Sequence, residues 1–509
     1  MSTGSSDSIK KATIDGVRWV VIARAITDVI ALGVAVALAR LIEPDQFGRA
    51  AVALIFVPLA AILTFEGFAS ALVQRPSFDE SHRRSATLTS IVGGAILSLL
   101  LLVLAQPIGG PVFGIETADL LELISPVFLL ASIGAVPRAT LWRRLDFRRM
   151  SIIDVLSMLT GTAVALGLAI AGMDAEAIVL GALATTASCS ALLFISAPPP
   201  WPRWHARSQR EITGFGLPAA LAGLVHVAFN NVDYAILAAR LSAFQAGFYW
   251  RAFNLGVVYQ DKLSGVMLKV AFPVYSRTES REELRRLHSR ATRVLATVIF
   301  PLQALLIVLA PVLIPFAFGP AWEEAVVPAQ ILGVAGMAAA ILTGYPQVML
   351  AVGKPKELLR FNLAMLTGFA IAVGLASGQG LAVIAVVVVL VYACILLGAY
   401  KFLLQRHAGI PMWSLLRELS PAVVGCFALA AVALPLRLAL EGAGAPAAVT
   451  LLVAGPVGLL AYAVLLRTAF PAAWHDVVMI IEKVAPPLGR VARRAVRRAR
   501  SPLPQGSSA

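Results

Sequence analysis

Charge is what this chain has least of. Asp, Glu, Lys and Arg make up 14% of its 509 residues, where soluble domains carry roughly 25%. That scarcity excludes an ordinary water-soluble globule. Hydrophobic residues reach 59%. They gather into recurrent apolar runs of about 20 residues, the length that crosses a bilayer as a helix. Cysteine is also scarce: Cys189, Cys394 and Cys426 all lie inside apolar runs, with no Cys-x-x-Cys spacing. Disulfide or metal use is therefore not expected. No Walker-type phosphate loop occurs, and no polar stretch is long enough to fold as a nucleotide-binding domain. The N-terminal MSTGSSDSIKKATIDG has no apolar signal-peptide core, so the first apolar run reads as a retained helix.

The charge that is present is mostly basic, with 42 Lys and Arg against 28 Asp and Glu, a balance of +14. In a soluble protein this would suggest nucleic acid. Here the basic residues sit in short loops and at the C-terminus, where they set topology and meet anionic lipid. The apolar pattern predicts an all-α polytopic membrane protein with about fourteen spans. They run roughly 17–41, 47–69, 87–106, 117–138, 152–172, 175–197, 213–240, 244–272, 291–317, 325–352, 358–377, 379–404, 414–436 and 446–470. Loops on the N-terminal side carry Lys10 and Lys11, Arg83 and Arg84, Arg143 to Arg149, Arg203 to Arg210, and Arg277 to Arg290. The opposite loops, such as QPIGGPVFGIE and AGMDAE, are nearly free of Lys and Arg; Arg40, Arg240 and Arg437 are the exceptions. This alternation places both termini in the cytoplasm. In the tail, Trp474, Val477, Val478, Ile481 and Val484 fall at helical spacing, which predicts a helix lying in the membrane interface. The basic run Arg490 to Arg500 then reads as an anchor on anionic lipid.

A hairpin is written twice. Asp28 and Asp233 each stand in a first helix that ends in Ala-Arg-Leu (39–41 and 239–241). A short turn follows, then Gly48 or Gly247, then Arg49 or Arg251. The copies open spans 1 and 7, so each unit holds six helices and the units are parallel repeats about an axis along the membrane normal. The resulting plan is a cytoplasmic tail (1–16), an N-lobe (17–197), an inter-lobe loop (198–212), a C-lobe (213–404), two further helices (405–470) and a basic amphipathic tail (471–509).

Polar groups inside spans are costly and face water or a partner. Arg24 and Asp28 are four residues apart and so within pairing reach; a self-neutralising pair and a functional pair both fit. Arg49 and Arg251 read either as snorkelling residues or as matched site residues. Asn230, Asn231 and Asp233, with His226 a turn earlier, read as an interhelical network or as a substrate or ion site. Glu66, Glu122 and Asp154 are weaker candidates. Phe248, Tyr249, Trp250 and Phe253 read as an interfacial aromatic belt. Glu43-Pro44-Asp45 resembles the acidic pair of polyprenyl-phosphate-dependent membrane glycosyltransferases, but the large outer domain of those enzymes is absent.

Four stretches carry a family resemblance: ARLIEPDQFGRAAVAL, EGFASALVQR, LWRRLDFRRMSIIDVL and FNNVDYAILAARLSAFQAGFYWRAFNL. Together with the fourteen-span plan they resemble the Wzx-type polysaccharide flippases. These belong to the multidrug/oligosaccharidyl-lipid/polysaccharide exporter superfamily, and the chain looks most like its colanic-acid/succinoglycan branch. The resemblance implies a non-enzymatic flippase of the bacterial inner membrane. It would move an undecaprenyl-diphosphate-linked oligosaccharide for surface polysaccharide synthesis by alternating access of two lobes. It implies cationic cavity residues on the first, second and eighth helices, which by position are Arg24, Arg49 and Arg251; Asn230 and Asn231 join them as substrate candidates from the polar cluster of span 7. It implies no cofactor, and leaves coupling to H+ or Na+ open at Asp28 or Asp233. The partners expected are the lipid-linked substrate, membrane lipid and the polysaccharide polymerase and export machinery, not nucleic acid. An ion-coupled multidrug exporter of the same fold is the alternative.

Overall fold

Short turns with identifiable chemistry set the helix ends. Glu43 is extended and Pro44 occupies the first helical turn, where its missing N–H and fixed φ cost nothing. Asp79 and Asp146 cap the helices that begin at Glu80 and Phe147 by accepting from the backbone N–H of His82 and Arg149. The computed structural model describes residues 19, 23–24, 26–64, 72, 79–260, 264, 275, 278 and 280–484. Among these there are helices and turns and no strand.

In chain order α1 covers 26–41, α2 Pro44–Thr64, α3 Glu80–Phe113, α4 Ile115–Arg143, α5 Phe147–Ile170 and α6 Ala175–Ser196. The chain continues with α7 (Ala206–Arg240) and α8 (Ala243–Phe253, extended by Asn254–Val258). Then come α9 (Arg281–Phe318), α10 (Pro320–Ala351), α11 (Pro355–Ala376), α12 (Leu381–Ala408), α13 (Met412–Gly442) and α14 (Ala447–Ala469). The last is α15, Pro471–Val484. Eleven of these, all but α1, α7, α8 and α15, are long and apolar enough to cross a membrane. The described parts of α1, α7 and α8 coincide with expected spans 1, 7 and 8. Ile96, Leu99, Ile170, Leu375, Phe427 and Leu452 are exposed, the apolar outer surface of a protein solvated by lipid.

The described residues pack as two units. One comprises Met1–Trp250, Ala317–Trp322 and Val373–Gly378; the other comprises Arg251–Phe316, Glu323–Ala372 and Gln379–Ala509. The division falls inside α8, so α7 and the first turns of α8 pack with α1–α6. Lipid gives apolar helices little reason to associate, so small residues must bring backbones close. In the first unit, a Cβ on Gly161 of α5 would stand 2.5 Å from the Gly181 oxygen of α6. In the second, one on Gly336 of α10 would stand 2.0 Å from the Gly256 oxygen of α8.

One expectation is corrected, and two features gain partners. The loop QPIGGPVFGIE is helical except at Gly114, whose φ of 91° turns α3 into α4 in one residue. Two of the basic exceptions cap carbonyls: Arg40 donates to the Ala317 oxygen at 2.9 Å, and Arg437 to the Val308 oxygen at 2.7 Å. Arg240 sits in the last turn of α7, where a cation offsets the helix dipole. The tail helix α15 is docked on protein. Ala473, Asp476 and Val478 are buried, and Trp474 packs on the cluster that contains Tyr462 and Leu466. Asp476 takes Arg290 and Arg293 of α9 at 2.9 Å each, and Arg293 also reaches Glu418 of α13 at 3.0 Å. A buried carboxylate needs such partners, and the α9 arginines supply them. The basic run 490–500 lies outside the described residues.

Candidate functional site: the junction of the two hairpins

Residues of both hairpins fall in the first unit, and they meet there. A Cβ on Gly48 of α2 would stand 2.0 Å from the Ala243 carbonyl oxygen; one on Gly247 of α8 would stand 2.0 Å from the Pro44 oxygen. Each glycine therefore lies against the carbonyl four residues before the other. The contact is reciprocal. Closeness, not backbone angle, demands glycine at both places. Tyr234 of α7 seals the contact by donating its hydroxyl to the Gly48 carbonyl.

Aromatic residues surround this crossing. Trp322 is fully buried and donates Nε1–H to the Ala39 oxygen at 2.9 Å. Its ring meets Phe47 and Phe248 edge-on, with centroids 5.3 and 5.9 Å apart, a favoured geometry. Phe248, Tyr249 and Phe253 are buried, so the belt expected from sequence is instead packed inside the protein. The helix crossing buries the face that periodicity alone leaves unassigned.

The charged candidates separate into distinct settings. Arg24 Nε lies 3.1 Å from Asp28 Oδ2, and half of the Arg24 side chain is exposed. Arg49 pairs with Asp45 at 3.4 Å and with Glu116 at the start of α4. Asp233 is fully buried; its Oδ2 accepts from the Tyr249 hydroxyl at 2.6 Å, and its Oδ1 has no hydrogen-bond partner among the described residues. Asn231 turns back on its own helix, donating to the Val227 oxygen at 2.9 Å. The side chains of Asn230 and His226, and the whole of Glu66, lie outside the described residues. Arg251, in the second unit, is 2% exposed and two residues beyond Tyr249 on α8.

The structure thus joins Arg24 to Asp28, Arg49 to Asp45 and Glu116, and Asp233 to Tyr249. Sequence reasoning missed Tyr249 and Glu116 as partners. It also missed Arg138 of α4, which holds Asp154 of α5 at 2.8 Å and touches Cys189 of α6 at 3.1 Å. An arginine inside the apolar run 127–143 was the available signal. Among the described residues no group of His, Cys, Asp and Glu could hold a metal ion.

The family described as polysaccharide biosynthesis protein matches residues 37–327. The chain is 26% identical over 362 residues to the lipopolysaccharide biosynthesis protein WzxC of Escherichia coli strain K12, covering 70% of this chain and 73% of that one. It is 24% identical over 475 residues to the teichuronic acid biosynthesis protein TuaB of Bacillus subtilis strain 168, covering 91% and 97%. Its fold is similar to the lipid II flippase MurJ in an inward closed conformation, with TM-score 0.65, 13% identity and coverage of 88% and 98%. It is also similar to an inward-facing multidrug resistance MATE transporter of the MOP superfamily, with TM-score 0.57, 15% identity and coverage of 80% and 98%. The last two likenesses concern the fold.

Proposed function

This chain belongs to the polysaccharide biosynthesis protein family, and from that premise we propose that it flips an undecaprenyl-diphosphate-linked oligosaccharide across the bacterial inner membrane. The observation that carries this reading is the Arg24–Asp28 pair. A guanidinium half open to its surroundings in the membrane-length apolar run 17–41 needs water or an anion beside it, since lipid tails supply neither. In the proposed mechanism it faces an aqueous cavity and binds the diphosphate by charge-assisted hydrogen bonds. Arg251 and Arg49 are secondary contacts, and Arg49 first exchanges Asp45 or Glu116 for substrate. Asn230 and Asn231 contact the glycan.

The hairpin junction closes the periplasmic end when the cavity opens to the cytoplasm, where both termini lie. Its opening releases the substrate on the other side, in alternating access. The membrane potential assists, because moving an anion outward gains about 2.3 kcal/mol per charge per 100 mV. A coupling H+ or Na+ is taken at Asp28 or Asp233. Asp233 suits a proton, because it is buried and its carboxyl faces the Tyr249 hydroxyl and no charged side chain among the described residues.

The test is flipping of a fluorescent undecaprenyl-diphosphate oligosaccharide in proteoliposomes. The expected result is a loss of roughly ten-fold or more in initial rate for Arg24→Ala, the worth of a hydrogen bond to a charged group. Normal flipping by a folded Arg24→Ala protein would falsify the assignment of Arg24. Uptake of cationic drugs without lipid flipping would establish a multidrug exporter instead.

A further inference from the structure

The segment between α6 and α7 has an unusual surface. It reads Pro198-Pro199-Pro200-Trp201-Pro202-Arg203-Trp204 and continues through Arg207 and Arg210 to Glu211. Trp201 is 79% exposed and Trp204 64% exposed. Tryptophan is rarely left so open in water, and two within four residues make a patch. Arg203, Arg207 and Arg210 are exposed beside them, with the Arg207 side chain 94% accessible although Glu211 lies 3.5 Å away. Three arginines against one glutamate leave the segment net basic. Phe194 and Ile195 are exposed at the end of α6, so an apolar, lipid-facing surface runs directly into the patch. Tryptophan bodies with arginines between them match the boundary where hydrocarbon meets phosphate.

This surface is held in place. Four prolines fix φ along the segment. The Arg203 N–H donates to the Arg84 oxygen at 3.4 Å, and Ser85 Oγ donates to the Arg203 oxygen at 3.5 Å. The Arg83 guanidinium donates to the Pro198 oxygen at 3.4 Å. Thr89 donates to Gln209 at 2.6 Å. His82 sits between two carboxylates, with Nδ1 2.6 Å from Asp79 and Nε2 3.0 Å from Glu211. Ser81 and His82 in turn hold the Asp79 carboxyl well below its ordinary range. The exposed tryptophans are therefore presented on a stitched-down loop, at little cost in ordering.

We propose that residues 198–211 are a membrane-surface foot. Trp201 and Trp204 sit at headgroup level in the anionic leaflet, and Arg203, Arg207 and Arg210 contact lipid phosphate. The foot holds the start of α7 at fixed depth against α3, independently of what the protein transports.

The experiment uses the full chain carrying 5-fluorotryptophan in nanodiscs of phosphatidylcholine with a minority of phosphatidylglycerol. Trp201→Phe and Trp204→Phe assign the two fluorine resonances. Both should broaden with a headgroup-spin-labelled lipid and stay sharp with an aqueous gadolinium chelate. The reverse pattern overturns the proposal and marks the patch as open to a soluble partner. The Arg203→Gln, Arg207→Gln, Arg210→Gln variant separates the charge contribution. Broadening by spin-labelled phosphatidylglycerol relative to phosphatidylcholine should fall about five-fold or more, the effect of one arginine near an anionic surface. An equal ratio in the unsubstituted protein sinks the anionic-lipid assignment. Unchanged flipping by the two Phe variants shows that the protein is folded while the foot is read out.

Discussion

The first and second hairpins carry the same residue types in the same order, yet they treat charge in opposite ways. In the first, Asp28 has an arginine one turn away and Arg49 has two acidic neighbours, all partly accessible. In the second, Asp233 is sealed against a tyrosine and Arg251 is 2% exposed. The backbone contact between Gly48 and Gly247 is nevertheless reciprocal. Repetition has kept the crossing and released the side chains. One copy keeps its ions in accessible pairs; the other keeps polar groups in the interior, where a single lost partner is expensive.

That contrast breaks first at the crossing. Gly48→Val and Gly247→Val should each destabilise the protein by about 3 kcal/mol, the upper end of overpacking costs, seen as a lower melting temperature in detergent. The two values should be similar, and the double variant should fall short of their sum because both changes open one contact. Strict additivity would mean that the two glycines are independent. Next, Tyr249→Phe should cost about 2 kcal/mol, since it strips the buried Asp233 of its hydroxyl donor; stability equal to the parent would show that Asp233 is hydrated through another route. Asp28→Asn should cost less than about 1 kcal/mol, as expected for a partly exposed pair. A penalty matching that of Tyr249→Phe would erase the distinction between the copies. The smallest effect belongs to Arg49→Gln, at about 0.5 kcal/mol, and it should shrink in high salt because exposed charges are screened.

Much of this organisation is legible without coordinates. Apolar run length finds the helices, and matched Ala-Arg-Leu and Gly landmarks find the two hairpins, because insertion cost and turn geometry act locally. The Arg24–Asp28 pair is equally legible, since i, i+4 spacing decides it. What escapes is which face of α8 turns inward. Phe248 and Tyr249 suit an interfacial belt as well as an interior, and only the crossing with α2 chooses between them. The Arg49–Glu116 and Arg138–Asp154 pairs join helices through non-local packing, so no spacing rule reveals them. The amphipathic stripe of α15 identifies an apolar face correctly but is silent on whether lipid or protein covers it.

The ion cluster under α15 draws a line for anyone altering the C-terminal end of this chain. A reporter fused after residue 484 leaves Asp476 between Arg290 and Arg293. A truncation at residue 470 removes that carboxylate and leaves Arg293 with Glu418 alone, which should lower the melting temperature of the protein. Arg293→Met in the truncated chain should recover part of any lost yield, and that recovery would trace the loss to the missing counter-ion.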